Sequence, residues 1–307
     1  MPSPPSLLRI RTRSQMPPKP DTPEMTNHIL TLSCCDRPGI VAAVAKFLAE
    51  NGGNVTEAQQ YNDQQTERFF MRVEFAIAQD AALAMKQGGF AQLAEPFAME
   101  WKLARKDHRK RVMIFVSKFD HCLADLLYRQ RIGELAMDVV GIVSNHPAEA
   151  LNVTNFRDIP FHHLPISADT KPQQEAQVRA LMEESGAELA VLARYMQILS
   201  DDLSRDLAGR CVNIHHSFLP GFKGAKPYHQ AHKRGVKLIG ATAHFVTPDL
   251  DEGPIIAQDV VPVSHADTPE DLVRKGRNVE QRVLAQAVDW LLEDRVFMNG
   301  QRTVVFA

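Results

Sequence analysis

Between Cys211 and Gly253 the chain reads CVNIHHSFLPGFKGAKPYHQAHKRGVKLIGATAHFVTPDLDEG, and the rest of the chain has to fold around it. CVNIH has the composition of a strand, with Val212 and Ile214 on one face and Asn213 and His215 on the other. SFLPGFKG then breaks it with Pro220, Gly221 and Gly224, which leaves the polar pair at the strand's carboxyl end. In an open parallel sheet that is where ligands bind. A second apolar run, LIGATAHFV, carries His244, and TPDLDEG ends it in a turn holding Asp249 and Asp251. An amide N–H and an imidazolium stabilise an oxyanion forming on a carbonyl, and a nearby carboxylate raises imidazole basicity or orients a water. The same residue types at strand ends also serve simply to satisfy backbone groups, so spacing alone leaves both readings open.

Downstream of residue 111, apolar runs alternate with amphipathic ones. VMIFVS, MDVVGIVSN, FHHLPI and ELAVLARY read as strands; HCLADLLYRQRIG and PQQEAQVRALMEESG read as helices between them. Strands apolar on both faces predict a mostly parallel sheet covered on both sides, a doubly wound α/β domain over 112–307. Thr268-Pro269-Glu270-Asp271 is a helix start running to about Glu293, and VFMNGQRTVVF reads as a hairpin turned at Asn299-Gly300. His265, just before that helix, suggests no role beyond a turn contact.

Upstream, HILTLSCCD, IVAAVAKFLAENGG, NVTEAQQYND, TERFFMRVEFAI, a helix broken near Gly88-Gly89, and WKLAR give a β-α-β-β-α-β order over 27–106. That is a ferredoxin-like α+β domain. FFMRVEF alternates, and a sheet edge or face of that kind can pair with another subunit. DHRKR, 107–111, reads as a solvated linker, and residues 1–26, rich in Pro, Ser and Arg without an apolar signal core, as a disordered leader.

Charge excludes some classes of partner. Thirty-five Lys and Arg stand against 37 Asp and Glu among 307 residues, a balance that offers no bulk attraction to nucleic acid or an anionic membrane. Cys34, Cys35, Cys122 and Cys211 form no disulfide framework or CxxC pair, which suits a reducing cytoplasm. No apolar run reaches the roughly 18–20 residues of a membrane span. Among twelve histidines, His229 and His232 share a helix face, but no HExxH or cysteine cluster accompanies them, and no metal is expected.

Asn213-x-His215, SFLPGFKG, HFV and Asp251-x-Gly253 together resemble the folate-dependent formyltransferase family. The resemblance implies that Asn213, His215 and Asp251 are the catalytic three; Asp249, directly after Pro248, is placed to accept backbone N–H groups and fix the turn. It further implies that the segment after ELAVLAR, with Met196, Gln197, Ile198 and Leu199, together with His244, binds the folate, and that no cofactor or metal is used. Asn145-His146-Pro147 faces the same edge. The family's glycinamide ribonucleotide transferases carry a Gly-Ser-Asn loop after the first strand; here Ser117-Lys118-Phe119-Asp120-His121 has no glycine, which argues against a phosphorylated acceptor. His216 departs from the proline usual after the catalytic His.

Asp36-Arg37-Pro38-Gly39-Ile40, ahead of the first helix, resembles the ACT family of regulatory domains. That implies a homo-oligomer, with glycine or methionine received at this turn by backbone N–H groups. An ACT-like domain ahead of a formyltransferase domain resembles the formyltetrahydrofolate deformylase family, which implies hydrolysis of 10-formyltetrahydrofolate to formate and tetrahydrofolate. Formate for purine synthesis and balance of the one-carbon folate pool would follow. Formyl transfer to an amine and a non-enzymatic amino-acid sensor are the alternatives; the intact Asn213, His215 and Asp251 set weighs against the sensor.

Overall fold

The structure, a computed structural model, describes residues 24–153, 156, 158–219 and 227–307. The expected leader lies almost wholly outside these residues, as does the loop at 220–226 that follows the Asn213 strand. The first domain consists of β1 (Met25–Cys35), α1 (Ile40–Glu50), β2 (Asn54–Asp63), β3 (Arg68–Ala78), α2 (Gln79–Ala84), α3 (Phe90–Ala94) and β4 (Glu100–Arg105). Its antiparallel sheet has the order β2-β3-β1-β4. Ile40, Val44 and Leu48, spaced by four, bury one stripe of α1 on that sheet. A π turn over Met85–Gly89, with Gly88 at φ 130°, separates α2 from α3 and produces the break expected near Gly88-Gly89.

β3 is an interior strand, so FFMRVEF offers no edge to another subunit. Its two faces are used differently. Phe69, Met71, Val73, Phe75 and Ile77 pack under the helices. Phe70, Arg72 and Glu74 point the other way, onto the carboxyl-terminal part of the chain, and all three are buried. The expected intersubunit face is therefore covered by the chain itself.

The second domain begins inside the segment expected to be a linker: Lys110 opens β5 (Lys110–Val116) and is buried on the carboxylate of Asp294 at 2.8 Å. There follow α4 (His121–Ile132), β6 (Met137–Ser144), β7 (Phe161–His163), α5 (Lys171–Glu184), β8 (Leu189–Leu192), α6 (Asp201–Asp206) and β9 (Cys211–His215). Then come α7 (Pro227–Arg234), β10 (Leu238–Phe245), β11 (Ile255–Pro262), α8 (Pro269–Leu292) and the hairpin β12 (Val296–Asn299) and β13 (Arg302–Val305). The sheet order is β11-β10-β9-β8-β5-β6-β7. β10 runs antiparallel to both its neighbours, and the other pairs are parallel. One apolar cluster with α4 and α8 covers one face, and a second with α5 and α6 covers the other. The doubly wound expectation holds, with one reversed strand that apolar pattern alone does not reveal.

Two connections leave the central pair β5 and β8 in opposite directions, which opens a crevice at their carboxyl ends. Ser117 bridges it: its hydroxyl donates to Asn145 Oδ1 at 2.6 Å and accepts from the Met196 N–H at 2.9 Å. α8 starts with the full capping box of Thr268 and Asp271. The terminal hairpin turns at Gly300-Gln301, one residue later than expected, because Asn299 still pairs with Arg302. Gly300, at φ 62°, occupies the first central position, where a two-residue hairpin loop calls for glycine.

This hairpin and the end of α8 tie the domains together. Phe297 meets Phe70 edge to face at 5.9 Å, and Asn299 donates to Asp63 at 2.6 Å. Arg72 donates from Nε to the Glu293 carbonyl at 3.1 Å. No helix of the described residues is long and apolar enough to cross a membrane.

Candidate active site

The pocket at the ends of β8 and β9 has a volume of about 290 Å3 and is lined by Met196, Gln197, Ile198, Leu199, Asn213, His215, His244 and Asp251 among others. All eight residues singled out on the catalytic domain thus meet in one place. Asn213 and His215 stand on the same side of β9, and His244 enters from β10 in register with Asn213. Met196 and Ile198 remain 52% and 60% exposed, two apolar side chains left uncovered at the pocket's mouth.

Asp251 arrives by its own backbone. Its φ is 58°, in the left-handed region that non-glycine residues seldom occupy. There its Oδ1 lies 3.2 Å from His215 Nδ1. Contact with His215 holds the Asp251 carboxyl below its usual range, with burial opposing. The imidazole edge away from Asp251 is open: His215 Nε2 is buried, lines up with no hydrogen-bond partner among the described residues, and belongs to a side chain facing the pocket.

His244 is 3% exposed and acts on Asn213 rather than standing alone. Its Nδ1 lies 2.8 Å from the Phe245 carbonyl, which can only accept, so the proton sits on Nδ1 and Nε2 carries the lone pair. Asn213 Nδ2 donates to that lone pair at 3.2 Å. Burial pushes the His244 pKa down and keeps it in this neutral form. The amide of Asn213 therefore has a fixed orientation. Sequence placed His244 among the folate contacts; its partners in the structure make it the residue that orients Asn213.

Gly253 has a different function from the one its position in a turn suggests. Its φ is not positive, and the swing of the turn falls to Asp251. A Cβ at residue 253 would lie 1.8 Å from the Phe245 carbonyl oxygen and 3.3 Å from His244 Nδ1. Glycine is required because that carbonyl, the anchor of His244, passes against it. Asp249, expected to fix the turn with its carboxylate, is exposed and outside the pocket lining. Its backbone carbonyl does the holding, accepting from Thr247 Oγ1 at 3.0 Å and from the Glu252 N–H at 3.3 Å.

Beneath the pocket lies a charged cluster that sequence reading missed. Glu280, 1% exposed in the middle of α8, accepts from Tyr228 Oη at 2.6 Å and pairs with His121 Nε2 at 2.8 Å. Arg194 Nε is 3.3 Å from the same carboxylate, without the alignment of a hydrogen bond. Burial opposes ionisation of Glu280, but the His121 bond and the Arg194 charge outweigh it and hold its pKa below the usual range. A legible signal existed: Glu280 falls in the same stripe as Gly276, Val279, Val283 and Leu284, a carboxylate on an otherwise apolar helix face. Gly276 supplies the space, since a Cβ there would lie 2.1 Å from the Tyr228 ring.

His121, Cys122 and Glu280 are close enough to hold a metal among the described residues. Their chemistry suits an ion-pair cluster better: burial pushes the Cys122 thiol well up, away from thiolate, and Arg194 already supplies the positive charge. His229 and His232 lie on α7 and do not join this group.

At the expected effector turn, Gly39 has φ 97° and precedes α1. Arg37 lies over the Phe97 ring at 4.2 Å and donates to the Pro96 carbonyl. Asp36 and Pro38 are exposed, and the Ile40 side chain is in the core at 2% exposure, where it cannot meet a ligand.

An α/β domain with a formyl-transfer type of site behind a small regulatory-type domain defines the class. Residues 110–288 match the formyl transferase family model, and residues 28–87 match the ACT domain model. The chain is 51% identical over 284 residues to formyltetrahydrofolate deformylase of Corynebacterium sp. (strain P-1), covering 92% of this chain and 99% of that protein. It is also similar to the crystal structure of formyltetrahydrofolate deformylase from Burkholderia mallei, at 55% identity and a TM-score of 0.87 over 92% of this chain and 100% of that one. The corresponding enzyme structure from Pseudomonas putida gives 52% identity and 0.87, over 91% and 100%. The chain belongs to the formyltetrahydrofolate deformylase family.

Proposed function

We propose that this protein hydrolyses 10-formyltetrahydrofolate to formate and tetrahydrofolate in the cytoplasm, with Asn213, His215 and Asp251 as its catalytic residues. One observation carries the assignment of residues: the Nε2 of His215, without a hydrogen-bond partner among the described residues, buried beside Asn213 and backed by Asp251 at 3.2 Å. The folate ring packs on the segment Met196–Leu199, where backbone groups bind it and exposed apolar side chains cover it.

Water attacks the formyl carbon. The oxyanion that forms accepts from the oriented amide of Asn213 and from Nε2–H of His215 as imidazolium, while Asp251 stabilises that charge from Nδ1. Removing one such donor costs about 3 kcal/mol of transition-state stabilisation. Collapse breaks the bond to N10 as N10 takes the imidazolium proton; one proton of the attacking water restores the imidazolium of His215, and the other passes to solvent as formic acid ionises to formate.

Acceptor independence tests the reaction. The chain incubated with 10-formyltetrahydrofolate alone should release formate, with no acceleration on adding glycinamide ribonucleotide, in keeping with the absence of glycine from 117–121. Turnover that needs an amine would make it a transferase.

The proposal extends to the first domain as a module for homo-oligomer formation and for response to glycine or methionine through the 36–40 turn. Its ACT match and its two open sheet edges, β2 and β4, support this role. Sedimentation velocity of the full chain should give an oligomer, and either amino acid should change the rate of formate release. A monomer whose rate ignores both would remove the regulatory role.

A further inference from the structure

His216 is not used by the mechanism above, yet it lines the same pocket. Its ring stacks on that of His215, with centroids 5.0 Å apart and planes at 22°. The Tyr228 ring, whose hydroxyl is held by Glu280, lies 6.5 Å from it and tilted by 56°. Arg194 lines the pocket next to it, at φ 65°, a left-handed conformation that costs a non-glycine residue energy. Glu280 meets Arg194 at 3.3 Å. A strained arginine, a buried carboxylate and a tyrosine are thus gathered around one imidazole beside the reacting atoms.

We propose that His216 positions the attacking water: its ring supplies the hydrogen-bond acceptor that aligns water with the formyl carbon, and Tyr228 and the Arg194–Glu280 pair hold that ring in place. This deepens the hydrolytic reading and rests on it. With His215 committed as a donor to the oxyanion, the water needs an acceptor from elsewhere, and an uncharged imidazole alongside is one. His216 stays uncharged because burial, then the charges of Arg194 and His215, push its pKa down to about 4, against the opposing pull of Glu280 and Asp251. Tyr228, a further titratable group against it among the described residues, is pushed up by burial and stays neutral.

The test uses the full chain and three variants, each assayed for formate release from about pH 5 to about pH 9. His216→Leu should lower kcat about 100-fold with KM little changed, since misplaced water costs the chemical step and not folate binding. His216→Gln, which keeps an acceptor, should recover to within about 10-fold of the parent. Arg194→Met removes a charge that suppresses protonation of His216, so its activity should fall away at a higher pH on the acid side. That displacement should vanish when Arg194→Met is combined with His216→Gln, and it keeps the proposal open to refutation even where His216→Leu does not fold. A raised KM with unchanged kcat in His216→Leu, a glutamine variant no better than leucine, or an unmoved acid limb would each overturn the proposal. A parent chain that releases no formate at all would instead remove the hydrolytic reading, and this one with it.

Discussion

Asp251→Asn lowers formate release at least about 100-fold while the chain remains folded; that is the expected result for a carboxylate worth about 10²–10⁴-fold in acid–base help. The substitution is clean for a structural reason. Asn tolerates a φ of 58° better than most residues do, so the turn persists and only the charge facing His215 Nδ1 at 3.2 Å is lost. In the proposed mechanism the His215 donor to the oxyanion then loses the carboxylate that backs it. Because the Asp251 carboxyl titrates below its usual range, its contribution is present at neutral pH and is lost only as pH falls through that lowered value. Asp249→Asn is the control. Its carboxylate is exposed and its carbonyl holds the turn, so stability should change by no more than about 0.5 kcal/mol and turnover should be kept. Turnover and thermal unfolding measured on both variants decide the matter; an active Asp251→Asn beside a folded, inactive Asp249→Asn would reverse the assignment.

Gly253→Ala should be nearly as damaging, without touching a reacting group. A methyl placed 1.8 Å from the Phe245 carbonyl cannot be accommodated, and the obstacle is backbone, which yields less readily than a side chain. The carbonyl must move, and with it the acceptor of His244 Nδ1–H, the tautomer of His244 and the orientation of Asn213. Overpacking of this kind costs about 1–3 kcal/mol of stability. A displacement near 1 Å at a catalytic donor costs about 100-fold in rate. Formate release and thermal unfolding should both fall. A Gly253→Ala protein as stable and active as its parent would show that the chain from Phe245 through His244 to Asn213 does not set the geometry.

Alternation made β9 legible, because period-two patterning puts Asn213 and His215 on one face whatever the rest of the fold does. The α/β layering was legible for another reason: continuous apolar runs alternate with amphipathic stretches along the chain. What escaped was whatever depends on atoms approaching through space. LIGATAHFV reads as a strand in either direction, and the antiparallel run of β10, which puts His244 opposite Asn213, has no signature in composition. TPDLDEG is legible as a turn, but its composition does not reveal that a carbonyl crowds Gly253 while Asp251 takes the left-handed angle. The face of β3 with Phe70 and Arg72 looked available because its cover, the hairpin β12–β13, lies more than two hundred residues along the chain, and Arg72 reaches Glu293 at a sequence separation of 221. Glu280 was visible as an anomaly on an apolar helix face, but its partners His121, Tyr228 and Arg194 come from α4, α7 and the segment after β8.

The most direct measurement is isotopic: 10-formyltetrahydrofolate is turned over in ¹⁸O-enriched water with no amine acceptor, and the released formate is examined by mass spectrometry. Attack of water on the formyl carbon held between Asn213 and His215 predicts formate carrying one solvent oxygen beside the original one, appearing in step with tetrahydrofolate. Formate without solvent oxygen, or formyl groups recovered only on an added amine, would contradict it.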